Sequence, residues 1–165
     1  MQTLEISREL DGVVTKEATV VAMSGGVDSS VAAVMMTRSQ SNVIGITLKL
    51  YDEKKIAKSK TCCAGSDILD AKRIASTINI PHYVLDYVSI FKENVIDPFI
   101  AEYKAGRTPI PCISCNENVK FLDLINFARK IGASSLTTGH YIKKLKIRDE
   151  WGLYIPVDED RDQSY

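Results

Sequence analysis

The chain has 165 residues, of which 45% are apolar and 25% charged, and its 21 basic and 21 acidic side chains cancel to no formal net charge. This length and mixture suit one globular unit with its own core and exclude a low-complexity or disordered chain. Balanced charge excludes attraction of a nucleic acid by the global field, so any basic footprint must be local.

In chain order, residues 1–16 are polar and weakly patterned and read as a leader. They contain no basic segment running into an apolar stretch, and no run in the chain approaches the roughly 20 apolar residues that cross a bilayer. A cytoplasmic location and no membrane partner are therefore expected. Residues 18–23 are apolar and β-branched, as in a strand buried on both faces of a parallel sheet. Gly25-Gly26 punctuates that run. Residues 29–38 then carry apolar side chains at helical spacing, and 43–50 read as a second buried strand.

Residues 51–63 form a loop rich in lysine (Lys54, Lys55, Lys58 and Lys60), a solvated stretch that also suits RNA phosphates. Ser66 reads as the N-cap of an amphipathic helix over 67–78. Pro81 opens a third strand over 82–85, with Asp86 at its end in a position to face a cleft. Residues 90–103 are mostly helical with an interruption at Pro98. A loop with two prolines and two cysteines follows at 105–115, then a strong helix over 116–131. A fourth short strand over 135–138 ends in Gly139-His140. Residues 141–148 and 151–157 read as a hairpin turning at Asp149-Glu150, with Lys143, Lys144, Lys146 and Arg148 available for RNA. Alternating strands and helices predict an α/β fold, a parallel sheet with helices on both faces and a C-terminal β-hairpin. In such a sheet the loops after Met23, Leu50 and Thr138 share one cleft at the carboxyl ends of the strands.

Ser24-Gly25-Gly26-Val27-Asp28-Ser29-Ser30 lies between a predicted strand and a predicted helix, the context that makes a glycine-rich string credible as a phosphate site. Glycines let the backbone approach an anion, and the hydroxyls and helix-terminal amides donate to it. Asp28 beside a phosphate implies a bridging Mg²⁺. The loop has no lysine, so it is not a Walker A sequence, and it lacks the G-x-G-x-x-G spacing of dinucleotide folds.

The string resembles the signature of the ATP-pyrophosphatase superfamily, whose adenine nucleotide alpha hydrolase-like members adenylate a carbonyl oxygen and release pyrophosphate. Three further segments narrow the resemblance: Gly106-Arg107-Thr108-Pro109-Ile110-Pro111-Cys112-Ile113-Ser114-Cys115-Asn116-Glu117-Asn118-Val119-Lys120-Phe121, then Thr138-Gly139-His140-Tyr141, then Asp160-Arg161-Asp162-Gln163-Ser164-Tyr165. Together they are similar to the tRNA-specific 2-thiouridylase family over residues 18–165. The resemblance implies one ATP-binding domain over 1–165, with a central tRNA-binding domain, a C-terminal β-barrel and a second catalytic cysteine outside this chain.

It also implies ATP and Mg²⁺ as cofactors, and as partners a tRNA and either a sulfur-relay protein or a cysteine desulfurase. Residue by residue, it implies Cys115 as catalytic cysteine. Ala22, Met23, Ser24, Gly25, Gly26, Val27, Asp28, Ser29, Leu48 and Gly139 would bind ATP. Ile110, Pro111 and Cys112 would contact the target base, and Arg161, Asp162 and Gln163 the tRNA. No dedicated metal site is expected. Thiolates and persulfides are strong nucleophiles near neutral pH, and a helix starting at Asn116 would lower the pKa of Cys115.

Many relatives carry an acidic residue at the position of Cys112. Cys112 and Cys115 thus open two other readings: an iron–sulfur cluster with a distant third cysteine, or a zinc site shared with Cys62-Cys63. Two competing functions also stand at this point, an ATP-dependent amidating ligase and a non-catalytic metal- or RNA-binding module.

Overall fold

The computed structural model describes residues 17–40, 42–52 and 65–164. The leader, the lysine-rich loop, Cys62, Cys63 and Tyr165 therefore lie outside the described residues, as do the readings placed on them.

Four strands form a parallel sheet in the order β3-β2-β1-β4: β1 (Thr19–Ala22), β2 (Val43–Lys49), β3 (His82–Asp86) and β4 (Ser135–Thr137). Val20 pairs with Ile44 on one side and Leu136 on the other, so β1 is central. The chain moves from β1 outward to β3, then crosses back to place β4 beside β1. That reversal opens a crevice at the carboxyl ends of β1 and β4, where ligands of such sheets bind.

The strands alternate between two cores because successive side chains point to opposite faces. On one face Val21, Met23 and Val43 pack with Ala33 of α1 (Val27–Ser39) and with Ala71 and Ala75 of α2 (Gly65–Thr77). On the other, Val20, Ile44, Ile46, Leu48 and Leu85 pack under a longer helical layer. That layer begins with α3 (Val88–Phe91), a π-helical stretch (Lys92–Ile96) and α4 (Asp97–Lys104). It continues with α5 (Pro111–Ser114), a second π-helical stretch (Cys115–Asp123) and α6 (Leu124–Lys130).

Pro98 does not break the helical path. It sits in the first turn of α4, and the wider π turns just before it relieve the clash of its ring with the preceding carbonyl. Ser66 lies within α2 rather than capping it, since the helix begins at Gly65. Asp86 is exposed, and its Oδ1 accepts the Val88 amide at 3.1 Å, so it caps α3 instead of facing the cleft.

The hairpin pairs β5 (Lys143–Ile147) with β6 (Glu150–Tyr154). Its turn is Arg148-Asp149, one residue earlier than the sequence suggests. Both residues have positive φ, 50° and 67°, the mirror-image turn whose twist suits a two-residue hairpin. Among the described residues no helix is long and apolar enough to cross a membrane.

Candidate active site

The crevice is a cavity of about 680 Å³. Its floor comes from Ala22 and Met23 at the end of β1, with Leu48 and Leu50 at the end of β2. Ser24, Asp28 and Ser29 form one wall, and Gly139 reaches it from the loop after β4. The segments after Met23 and Thr138 thus converge on the end of β2 at Leu50, and most of the loop after Leu50 lies outside the described residues.

The phosphate loop holds itself open through short polar bonds. The Ser24 amide donates to Ser29 Oγ at 3.1 Å, and the Ser29 and Ser30 hydroxyls both donate to the Gly26 carbonyl, at 3.0 and 2.7 Å. Gly25 has φ +82°, and a Cβ there would collide with the Asp67 carbonyl of α2. A Cβ on Gly139 would lie 2.7 Å from the Ser29 nitrogen. Both glycines therefore permit backbone to pack on backbone beside the first turn of α1. Gly25, Gly26 and Val27 are not among the lining residues, and the Val27 side chain is 72% exposed.

Asp28 is engaged from the C-terminal segment. The Tyr141 hydroxyl donates to Asp28 Oδ1 at 2.6 Å, and Arg161 Nη1 donates to the same hydroxyl oxygen at 3.0 Å. Chiefly through the bond to Asp28, the Tyr141 phenol is held above its ordinary pKa. Gln163 fixes the backbone of Tyr141: its side-chain carbonyl accepts the Tyr141 amide at 2.9 Å. Arg161, Asp162 and Gln163 accordingly line the same cavity as the phosphate loop.

Among the described residues no group of three or more His, Cys, Asp or Glu gathers to hold an ion. One carboxylate beside serine hydroxyls suits Mg²⁺, which binds few protein ligands and completes its shell with phosphates and water. Among the described residues the donor set does not fit an iron–sulfur cluster. The described residues supply two thiols, one exposed and one buried, with no third ligand grouped beside them.

A second polar chain lies across the cavity. Thr138 donates to His140 Nδ1 (2.9 Å), and His140 Nε2 lies 3.4 Å from Asn116 Oδ1, which also accepts from Lys120 Nζ at 3.0 Å. Burial, then the Lys120 charge, lowers the pKa of His140, so the imidazole is neutral at pH 7. With the Asn116 oxygen as acceptor, the network assigns the proton to Nε2. Lys120, Tyr141, Asn116 and Thr138 are side chains of this site that the sequence reading left without a role. The signal for Lys120 was present: a phosphate loop with no lysine needs a cation from elsewhere.

The cysteines are placed differently. Cys115 is 8% exposed, packs in the larger core and does not line the cavity. It lies one turn inside a continuous helical path from Pro111, its amide already bonded to the Pro111 and Cys112 carbonyls. Activation by free amides at a helix start therefore does not apply to Cys115. Cys112, exposed and in the first turn of α5, occupies that position. Ile110 and Pro111 lead into the same turn, outside the cavity.

The family model described as the tRNA methyl transferase HUP domain matches residues 17–165. The tRNA-specific 2-thiouridylase MnmA of Zymomonas mobilis is 50% identical over 163 residues, covering 98% of this chain and 44% of the relative. Its counterpart in Brucella suis is 52% identical over 160 residues, covering 96% of this chain and 40% of the relative. The chain thus spans less than half the length of these curated relatives. Solved structures with a partial likeness include an NMN synthetase from Francisella tularensis, with a TM-score of 0.45 and 17% identity, covering 79% of this chain and 52% of that one. An NH3-dependent NAD synthetase from Campylobacter jejuni has a TM-score of 0.46 and 17% identity, covering 81% and 55%.

Proposed function

This chain belongs to the tRNA methyl transferase HUP domain family, and from that premise we propose that it is the ATP-binding, uridine-activating part of a tRNA 2-thiouridylase. The observation that carries the reading is the cavity formed by Ser24, Asp28 and Ser29 with Arg161, Asp162 and Gln163 at its edge. A nucleotide-activating loop and a segment assigned to tRNA meet in one space. The family description speaks of methyl transfer, but a phosphate loop suits ATP, and the relatives matching nearly the whole chain are named thiouridylases.

In the proposed reaction, O2 of the wobble uracil bonds to the α-phosphorus of ATP as the bond to the β-phosphate oxygen breaks. Pyrophosphate leaves with that electron pair, and N3 loses its proton to solvent. The α1 amides and the serine hydroxyls hold the phosphates; Asp28 is the residue that would hold Mg²⁺, which would supply neutralisation of the phosphate charge. The terminal sulfur of a Cys115 persulfide then attacks C2, and the C2–O bond breaks to release AMP. A second thiol, outside this chain by the family resemblance, loses its proton and attacks the Cys115 sulfur; the S–S bond to the base sulfur breaks, its electron pair stays on that sulfur as 2-thiouridine leaves, and a disulfide joins the two cysteines. Ile110, Pro111 and Cys112 contact the base, and Arg161, Asp162 and Gln163 the tRNA. The persulfide comes from a sulfur-relay protein or a cysteine desulfurase, and the setting is the cytoplasm. Lys144, whose ammonium lies 4.6 Å from the Trp151 ring centre, and Lys143 supply local positive charge on the hairpin for RNA.

The test is to incubate the complete protein with unmodified tRNA, ATP, Mg²⁺ and a sulfur donor. The expected result is 2-thiouridine with stoichiometric AMP and pyrophosphate. Pyrophosphate release on an amide-forming small molecule, with no thiolated uridine, overturns the proposal in favour of a ligase.

A further inference from the structure

Lys120 poses a charge problem that the proposed site resolves. Its side chain is half-buried and lines the cavity. None of the ion pairs among the described residues involves it. Its hydrogen-bond partner is an uncharged amide oxygen, Asn116 Oδ1, at 3.0 Å. An ammonium has three donors and no acceptor, so one amide bond leaves most of its capacity unused, and no carboxylate among the described residues forms an ion pair with it. Removing a charge from water without a counter-charge is costly, and such groups persist where a ligand supplies the opposite sign.

The cavity also holds the opposite deficiency. The phosphate loop contributes amides and hydroxyls but no cation, whereas an ATP triphosphate brings several negative charges. Arg161, the other cation among the described residues that line the cavity, is exposed and already committed to Tyr141 and Asp158, at 3.0 and 3.2 Å. α1 packs on one face of the sheet, and the π-helical stretch carrying Lys120 packs on the other. A triphosphate lying along the α1 N-terminus therefore meets Lys120 from the opposite side. The Asn116 side chain, 4% exposed at residue level, holds the ammonium, and His140 steadies the Asn116 oxygen from the other direction.

We infer that Lys120 is a phosphate ligand of this cavity, the cation that the loop itself lacks, with Asn116 and His140 as positioning residues. The inference rests on the nucleotide-activating reading and extends it to a residue outside the phosphate loop.

The experiment measures equilibrium binding of ATP, adenosine and inorganic triphosphate to the full chain and to Lys120→Met and Lys120→Arg, each with its melting temperature. Lys120→Met is expected to weaken ATP and triphosphate on the order of tenfold to a hundredfold, as for loss of a charge-assisted bond. Adenosine should bind the variant and the wild type alike. Lys120→Arg keeps the charge and should recover most of the ATP affinity. Equal weakening of ATP and adenosine, or no weakening of either, overturns the inference. Wild-type protein that binds triphosphate in a Lys120-dependent way but not ATP overturns the nucleotide reading and retains the anion site. Wild-type protein that binds neither overturns both.

Discussion

The two faces of the sheet meet the cavity in different ways. The face under α1 and α2 is thin, with Ala33, Ala71 and Ala75 against Val21 and Val43, and with Gly45 and Thr47 in β2. Small residues let α1 approach closely, so this side presents backbone to a ligand. The face under the 111–130 helical path is thick, with Leu48, Leu85, Phe91, Leu124 and Phe127. There the helix reaches the cavity with a long side chain, Lys120, while Cys115 remains among the apolar residues. The difference teaches a division of labour: main-chain chemistry on one face, side-chain chemistry on the other.

The largest expected effect tests the thick face. Cys115→Ser should abolish thiolation of tRNA by the complete protein while ATP affinity stays within about twofold, because a hydroxyl cannot carry a persulfide. Cys112→Ser should retain measurable thiolation. If mass spectrometry of the RNA finds both variants equally inactive, Cys115 is not the sole sulfur carrier on this face.

The next tests the thin face. Gly139→Ala places a methyl 2.7 Å from the Ser29 nitrogen and 2.8 Å from the Asp28 carbonyl carbon, neither of which can swing aside. Overpacking of this kind costs about 1–3 kcal/mol, and ATP affinity should fall about tenfold or more. Gly132→Ala is the control: its φ of +86° is strained for alanine but no atom lies within 4 Å. It should lose stability in urea denaturation and leave ATP binding intact. Equal ATP affinity in the two variants would mean that close approach at Gly139 is not what shapes the loop.

The smallest concerns a buried polar tie on the thin face. Thr47 donates to the Met23 carbonyl at 2.7 Å, and its hydroxyl oxygen lies 2.8 Å from His82 Nε2. With the Thr47 proton used, His82 is the donor, and its Nδ1 is buried with no hydrogen-bond partner among the described residues. Burial, then the Lys72 charge, lowers the His82 pKa from 6.5 to about 4. Between those values the unfolded chain binds more protons than the folded one. The stabilisation is therefore complete above pH 6.5 and is lost as pH falls towards 4. After allowance for partial exposure it amounts to no more than about 2 kcal/mol. His82→Gln should reduce the acid sensitivity of urea unfolding in that window. An unchanged pH profile would assign the acid sensitivity to other groups.

Much of the fold was legible because its signals are local. Buried parallel strands need near-continuous apolar runs, and residues 18–23 and 43–50 supply them. The phosphate loop was legible for the same reason: a strand, two glycines and a serine-rich helix start are contiguous. Boundaries were less legible. The hairpin turn fell at Arg148-Asp149 because the register pairs Ile147 with Glu150 and Lys146 with Trp151, and alternating residues allow a neighbouring register with the turn one residue later. The role of Asp86 was missed because a short side chain can cap its own backbone as readily as face a cleft.

By itself, the sequence determined the element types, the phosphate loop and the family strings, since each is written in neighbouring residues whose chemistry requires no partner. Tertiary structure alone decided the strand order β3-β2-β1-β4 and the crevice it opens. It also decided that Tyr141 and Arg161 meet Asp28, that Lys120 faces the loop from the opposite side, and that Cys115 lies inside a helix rather than at its start. These depend on which face of the sheet each helix covers. That choice is made by apolar packing that gathers residues about a hundred positions apart, such as Val20 and Val119, into one core, and no local pattern encodes it.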